Sequence, residues 1–191
     1  MSASNCFGCD RCIFLDKVFD RFTMINCLQI RDALPSDLTQ IVAIYNASIP
    51  NYLATADTEP ITVESRLQWF ANHSASTYPL WIMENKQQQM LGWLGFQAFY
   101  GRPAYRKTAE LSIYIDPAFQ GQGLGKRLLA EAIAQSSRLG LKTLLGFIFG
   151  HNQPSLKLFS QYQFEQWGFL PLVADLGEKE RDLVIMGRRV N

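Results

Sequence analysis

The stretch Ile115-Asp116-Pro117-Ala118-Phe119-Gln120-Gly121-Gln122-Gly123-Leu124-Gly125-Lys126-Arg127-Leu128-Leu129 constrains the fold more than any other part of the chain. It follows a strand-like run, Thr108 to Ile115. It precedes a run in which Leu124, Leu128, Leu129, Ala132, Ile133 and Leu139 recur at helical spacing, with Gly140 as a stop. Strand, short glycine turn and helix in succession predict a βα unit of a layered fold. The first turn of a helix offers unpaired N–H groups and the positive end of the dipole, and glycines allow close approach to the backbone. That combination suits an anion, to which Lys126 and Arg127 add charge. A tight turn with glycines for steric reasons alone has the same spacing.

The common phosphate motifs do not fit. G-x-G-x-x-G needs glycine at 126 or 128, which hold Lys126 and Leu128, and a Walker loop needs Gly at 120 and Ser or Thr at 127, which hold Gln120 and Arg127. A kinase glycine loop lies between two strands, whereas a helix follows here.

The rest of the chain alternates in the same way. Leu28 to Arg31 reads as a first strand. Pro35-Ser36-Asp37 caps a helix with Leu38, Ile41, Val42, Ile44 and Tyr45 on one face, and Thr62 caps a second helix bearing Leu67, Trp69 and Phe70. Between them residues 46–62, with Pro50 and Pro60, read as a loop with little regular structure. Leu80 to Glu84 and Met90 to Phe96 form a hairpin, Thr143 to Phe149 a buried strand, and Asn152-Gln153-Pro154-Ser155 opens a short helix. Phe164 to Leu172 and Asp182 to Arg188 supply the last strands. The expected order is β-α-α-β-β-β-α-β-α-β-β: an α/β fold with a mixed, mostly antiparallel sheet and helices on both faces.

At 191 residues and 48% hydrophobic, the chain can bury one good-sized core. A net charge of +1 without blocks of like charge gives no nucleic-acid stripe and no polybasic membrane patch. No apolar run approaches the roughly 20 residues that cross a bilayer, and no signal-peptide stretch opens the chain, so a cytoplasmic protein is expected. Cys6, Cys9 and Cys12 have the spacing of a metal or Fe–S loop, but Cys27 stands alone where a second close pair would complete a site. The other reading makes residues 1–23 an extension outside the core and 24–191 a single domain starting at Met24. No metal is expected.

Gln120-Gly121-Gln122-Gly123-Leu124-Gly125 resembles the Q/R-x-x-G-x-G/A signature of the GNAT superfamily of N-acetyltransferases. Tyr105-Arg106-Lys107-Thr108-Ala109-Glu110-Leu111-Ser112-Ile113-Tyr114-Ile115 resembles the Y-R-x-T-x-E-x-S-x-Y-V strand of the phosphinothricin and methionine sulfoximine acetyltransferase branch. Asn152 to Leu158 resembles the N-x-x-S-x-x-L helix start, and Asn46 and Asp182 also fit, so the resemblance spans roughly residues 28–188. It implies a GNAT-type fold and acetyl-CoA as acetyl donor. The backbone of Ile113, Tyr114 and Ile115 would pair with the pantetheine arm as an added strand. Gly121, Gln122, Gly123, Leu124, Gly125 and Lys126 would cradle the pyrophosphate, and Asn152 and Ser155 would face the thiol end. A small-molecule amine acceptor and a homodimer are implied as well.

An amine attacks a thioester only when neutral, so the site needs a base, and the departing thiolate benefits from an acid. On an alternating strand Glu110, Ser112 and Tyr114 share one face, which makes Glu110 the candidate base, or else a strand residue paired with Arg106. The position at which the family often carries a tyrosine acid is Phe159, which has no proton to give; water, Tyr114 or Tyr162 remain for that role. His73, in a polar Asn-His-Ser segment, reads as a surface residue, and His151 as a loop residue. For the acceptor the resemblance implies a small amino acid or analogue of the phosphinothricin or methionine sulfoximine type. Arg102 and Arg106 suit its anionic groups, with Tyr105, Phe99 and Tyr100 as pocket walls and Asn46 nearby. A polyamine or protein N-terminus as acceptor, or a CoA-binding regulator without catalysis, are the alternatives.

Overall fold

The computed structural model describes residues 28–177 and 179–190. The Cys6, Cys9, Cys12 and Cys27 reading and the proposed start at Met24 therefore lie outside the described residues. Seven strands form one sheet in the order β1-β2-β3-β4-β5-β7-β6. They are β1 (Gln29–Asp32), β2 (Leu80–Glu84), β3 (Met90–Ala98), β4 (Thr108–Ile115), β5 (Thr143–Phe149), β6 (Glu165–Asp175) and β7 (Glu180–Arg189). The helices are α1 (Leu38–Asn46), α2 (Val63–Ala71), α3 (Leu124–Gln135) and α4 (Gln153–Gln161). The element order expected from the sequence is the one observed.

All strand pairs are antiparallel except β4 with β5, which α3 connects. Alternation along β2 divides the core into two layers. Trp81 and Met83 join Leu94, Phe96, Leu128, Leu129, Leu144 and Phe159 in the layer beneath α3 and α4. Leu80 and Ile82 point to the other face and meet Ile41, Ile44 and Trp93 beneath α1 and α2. The capping expected at α2 is present, the Thr62 hydroxyl accepting from Ser65 N–H. β6 runs three residues beyond the expected Leu172, through a register shift between Leu170 and Ala174 and a left-handed Leu172 (φ 51°). Pro171 and that irregularity hide its end from a reading of alternation.

β4 pairs with β5 only at Thr108, Ala109 and Glu110, opposite Thr143, Leu144 and Leu145. β4 continues to Ile115 along β3, and β5 to Phe149 along β7, so the two parallel strands diverge into a wedge open at their C-terminal ends. On the wedge side, no strand among the described residues pairs with Leu111 to Ile115.

Candidate active site

Glu110 sits at the apex of the wedge, the last residue of β4 to pair with β5. Its neighbour across β3 is Gln97. Burial pushes its carboxyl above the ordinary carboxylate range, and no ion pair among the described residues involves it, so the pairing with Arg106 weighed from sequence is not formed. Arg106 is exposed on the turn before β4, where its carbonyl accepts from the Tyr78 hydroxyl at 2.9 Å. Tyr105 packs edge-on to Phe99 at 5.4 Å, and Phe99 meets Tyr100 at 4.5 Å and Phe147 of β5 at 6.5 Å, so the aromatic residues expected to wall a pocket do cluster.

The glycine stretch has the conformation an anion cradle requires. Asp116 Oδ1 accepts from Ala118 N–H and starts a short 3-10 turn, and the Gln120 side chain donates to the Ile115 carbonyl at 3.2 Å. Gly121 and Gly123 take positive φ of 75° and 78°, and a Cβ on either would meet nothing within 4 Å. Gly123 is the N-cap of α3 and supplies no capping side chain, while the first intrahelical bond is Arg127 N–H to the Gly123 carbonyl. The N–H groups of Leu124, Gly125 and Lys126 belong to the unpaired first turn. Gly125 differs from its neighbours: a Cβ there would lie 3.3 Å from Leu158, so its bare backbone also lets α3 and α4 pack closely.

On the Glu110 face a cavity of about 140 Å³ lies beneath α1 and α2, with Tyr45, Arg66, Trp69, Trp93, Ser112 and Tyr114 among its walls. Trp93 stacks on Tyr114 at 4.5 Å, and Tyr45 leans on Tyr114 at 5.0 Å. Arg66 rests over the Tyr45 and Trp69 rings at 5.1 and 5.6 Å and pairs with Asp57 at 3.3 Å. The Tyr45 hydroxyl also reaches Thr55 and Asp57. Asp57 and Arg66 carry no reading from sequence, and Tyr45 reads there only as part of the apolar face of α1; the one available signal is the i, i+3 spacing of Arg66 and Trp69 on α2.

Other expected residues hold local structure. Asn46 is the last residue of α1, and its amide both donates to and accepts from the Ile61 backbone, closing the neck of the loop. Asn152 is buried, caps α4 by accepting from Ser155 N–H, and donates to the Leu53 carbonyl at 2.9 Å. Phe159 is only 4% exposed, with its ring over Gly146 of β5 and against Phe164. Of the acid candidates, Tyr162 packs against the α3/α4 layer, and the Tyr114 hydroxyl, which burial keeps protonated, donates to the Ala54 carbonyl at 3.1 Å. His73 corrects its reading as a surface residue. It is half-buried against Trp69, with Nδ1 2.9 Å from the Trp69 carbonyl and Nε2 buried without a partner among the described residues. Burial holds its pKa down. Its i, i+4 relation to Trp69 outweighs its polar neighbours.

The model of the acetyltransferase (GNAT) family matches residues 41–164. The chain belongs to the GNAT acetyltransferase family. This acetyltransferase is 48% identical over 164 residues to a Bacillus subtilis (strain 168) protein named as a candidate phosphinothricin acetyltransferase, covering 86% of this chain and 100% of that one. It is 30% identical over 157 residues to an L-methionine sulfoximine/L-methionine sulfone acetyltransferase of Pseudomonas aeruginosa, covering 82% and 91%. Its fold matches that of a GNAT superfamily phosphinothricin acetyltransferase from Sinorhizobium meliloti, determined in complex with AcCoA, with a TM-score of 0.81 at 28% identity, covering 86% and 89% of the two chains. The acetyltransferase is thus an acyltransferase of that branch, with a mixed, mostly antiparallel seven-stranded sheet. No helix among its described residues is long and apolar enough to cross a membrane.

Proposed function

We propose that this enzyme transfers acetyl from acetyl-CoA to the amine of a small amino acid or analogue of the methionine sulfoximine or phosphinothricin type. The observation that carries this reading is the parting of β4 from β5 immediately after Glu110, which leaves a strand edge beside a half-buried carboxyl. The residues present fit the donor. The edge of Ile113, Tyr114 and Ile115 suits an extended amide-bearing arm, and the cradle from Gly121 to Lys126, open above Gly121 and Gly123, suits a pyrophosphate. Asn152 and Ser155, at the start of α4 beside the end of β5, would hold the thiol end.

Bound acetyl-CoA supplies an activated acetyl thioester. The chain's own residues do the rest. Glu110 takes the ammonium proton, directly or through a water, and burial makes its carboxylate a stronger base than an exposed one. Phe159 is packed in the core, so no acid acts from that position. The aromatic cavity over Ser112 and Tyr114 accommodates the acceptor; Tyr105 and Arg106, on the turn before β4, are not among its walls and would meet the acceptor's anionic groups only from outside them. Asn46 contributes by fixing the loop that closes the cavity.

The enzyme works as a homodimer in this reading. Edge strand β6 leaves Trp167, Phe169, Leu172 and Val173 47–58% exposed, an apolar strip that a second copy of the chain would cover. An acceptor screen that follows released CoA thiol tests the function. Methionine sulfoximine, phosphinothricin, a polyamine and a peptide N-terminus form the panel. Transfer to the first two supports the reading; acetyl-CoA binding without acetylation of any of them refutes it.

A further inference from the structure

Three successive carbonyls in the loop between α1 and α2 are each taken by a donor from beside the wedge. His151 Nε2 lies 2.8 Å from the Tyr52 carbonyl. Asn152 Nδ2 donates to Leu53, and the Tyr114 hydroxyl donates to Ala54. Tyr114 stands near the end of β4, whereas His151 and Asn152 follow the end of β5, 99 residues from the carbonyls they bind. Residues 52–54 therefore form a strap across the mouth of the wedge, clasped to both lips.

The local geometry is not that of a relaxed loop. Tyr52 holds a left-handed φ of 52°, a conformation that an aromatic residue adopts only when its surroundings impose it. A carbonyl accepts only, so His151 Nε2 is the donor, and Nδ1 is buried without a partner among the described residues. His151 is braced by stacking on Phe149 of β5 at 5.6 Å. The loop is already fixed at its neck by Asn46 and Ile61, and along its second half by Tyr45, Thr55, Asp57 and Arg66. The clasp adds something these do not: it ties the end of the donor wedge to the wall of the aromatic cavity.

We propose that His151 and Tyr114 are positioning residues, holding the strap of residues 52–54 so that the acceptor in the aromatic cavity is aligned with the acyl group at the wedge mouth. This rests on the donor and acceptor placement given under Proposed function. Removing either donor frees the strap, so acceptor use suffers while donor binding along β4 and the glycine cradle does not. The two donors act on one element, so losing the second after the first adds little.

The test is steady-state transfer from acetyl-CoA to methionine sulfoximine, with hydrogen exchange of residues 52–57 as a readout that needs no turnover. His151→Leu and Tyr114→Phe should each raise the acceptor KM by about five-fold, the loss of one hydrogen bond, with the acetyl-CoA KM changed by less than about two-fold. His151→Gln, whose amide N–H can reach the same carbonyl, should restore the acceptor KM. The double variant should be no worse than the poorer single one. Exchange in residues 52–57 should quicken in both single variants. Unchanged exchange, an unchanged acceptor KM, or penalties that multiply in the double variant would overturn the proposal. If the wild-type enzyme acetylates none of the acceptors, the functional reading fails, and exchange alone decides whether the clasp exists.

Discussion

Gly123→Ala separates a glycine that serves a turn from one that serves a ligand. At Gly123 φ is 78° and an added Cβ meets nothing within 4 Å, so no steric clash contributes to the cost in the free protein. What remains is the backbone penalty of an L-residue in the left-handed region, about 1–2 kcal/mol. For a chain of this size that lowers Tm by roughly 2–8 °C. Gly140 is the matched control: φ is 70°, a Cβ there also meets open space, and it lies in the turn after α3, away from the cradle. Gly140→Ala should lose the same stability and bind acetyl-CoA like the wild type. Gly123→Ala should in addition weaken acetyl-CoA binding by about ten- to a hundred-fold, because a methyl in the cradle displaces an anion from one charge-assisted hydrogen bond worth about 1.5–3 kcal/mol. Differential scanning fluorimetry and isothermal titration calorimetry on both variants read the two quantities. If Gly123→Ala and Gly140→Ala bind acetyl-CoA equally well, the glycines at 121–125 serve the turn, and the cradle reasoning is wrong.

Glu110→Gln should lower the rate about 10²–10⁴-fold at pH values below the acceptor amine's pKa. In the wild type, burial favours the protonated carboxyl, so the base form is lost sooner on acidification than from an exposed glutamate, and the acid limb of the rate profile lies above the ordinary carboxylate range. A variant that keeps that limb removes Glu110 from the role. The same shift means that the folded state holds its proton to higher pH than the unfolded chain, so stability falls as pH rises through that window, and Glu110→Gln should flatten this fall in urea titrations. Gly146→Ala puts a Cβ 2.5 Å from Phe159 Cε1, an overpacking that should cost about 1–3 kcal/mol in thermal melts and be relieved by adding Phe159→Leu. An equally destabilised double variant would argue against that contact. Arg31→Met strips the partner from Asp37 (2.7 Å) and Glu84 (3.0 Å) in a part-buried cluster and should cost about 1–2 kcal/mol in denaturant unfolding. The Arg31 hydrogen bond lowers the Asp37 pKa, so its share of stability is present above the unfolded pKa and lost as pH falls through the folded one. A deficit that stayed constant into acid would refute this assignment.

The elements were legible because their signals are local. β5 is a seven-residue apolar run whose ends coincide with the expected Thr143 and Phe149, and α2 begins at the Thr62 cap that its sequence advertises. The glycine turn into α3 and the place of Glu110 on β4 were legible for the same reason, since turn chemistry and strand alternation lie within a few residues of each other. The strap and the aromatic cavity were not. Residues 46–62 are irregular apart from a short turn at Ile49–Asn51, and what orders them comes from far along the chain: His151, Asn152 and Tyr114 lie 60 to 99 residues from the carbonyls they bind. No periodicity encodes such a contact. His73 failed for a related reason, since its burial follows from Trp69 and the sheet beneath rather than from its polar neighbours.

The early parting of β4 from β5 has an evolutionary reading. Peptide groups on a strand edge, and amides held by glycine φ angles, do not change when side chains do. Along β4, Ser112 and Tyr114 face the cavity and Glu110 lies on the same side of the strand, while Ala109 and Leu111 face the α3/α4 layer. Substitutions on either face can accumulate without erasing the row of amides between them. If these amides hold the donor as proposed, a lineage built on this sheet can explore new acceptors by drift while its donor stays fixed. On the proposed reading, tolerance in a saturation scan of this enzyme should be sharply uneven: low at Gly121 and Gly123, where the main chain would meet the donor, and graded by acceptor around Tyr45, Arg66 and Trp69.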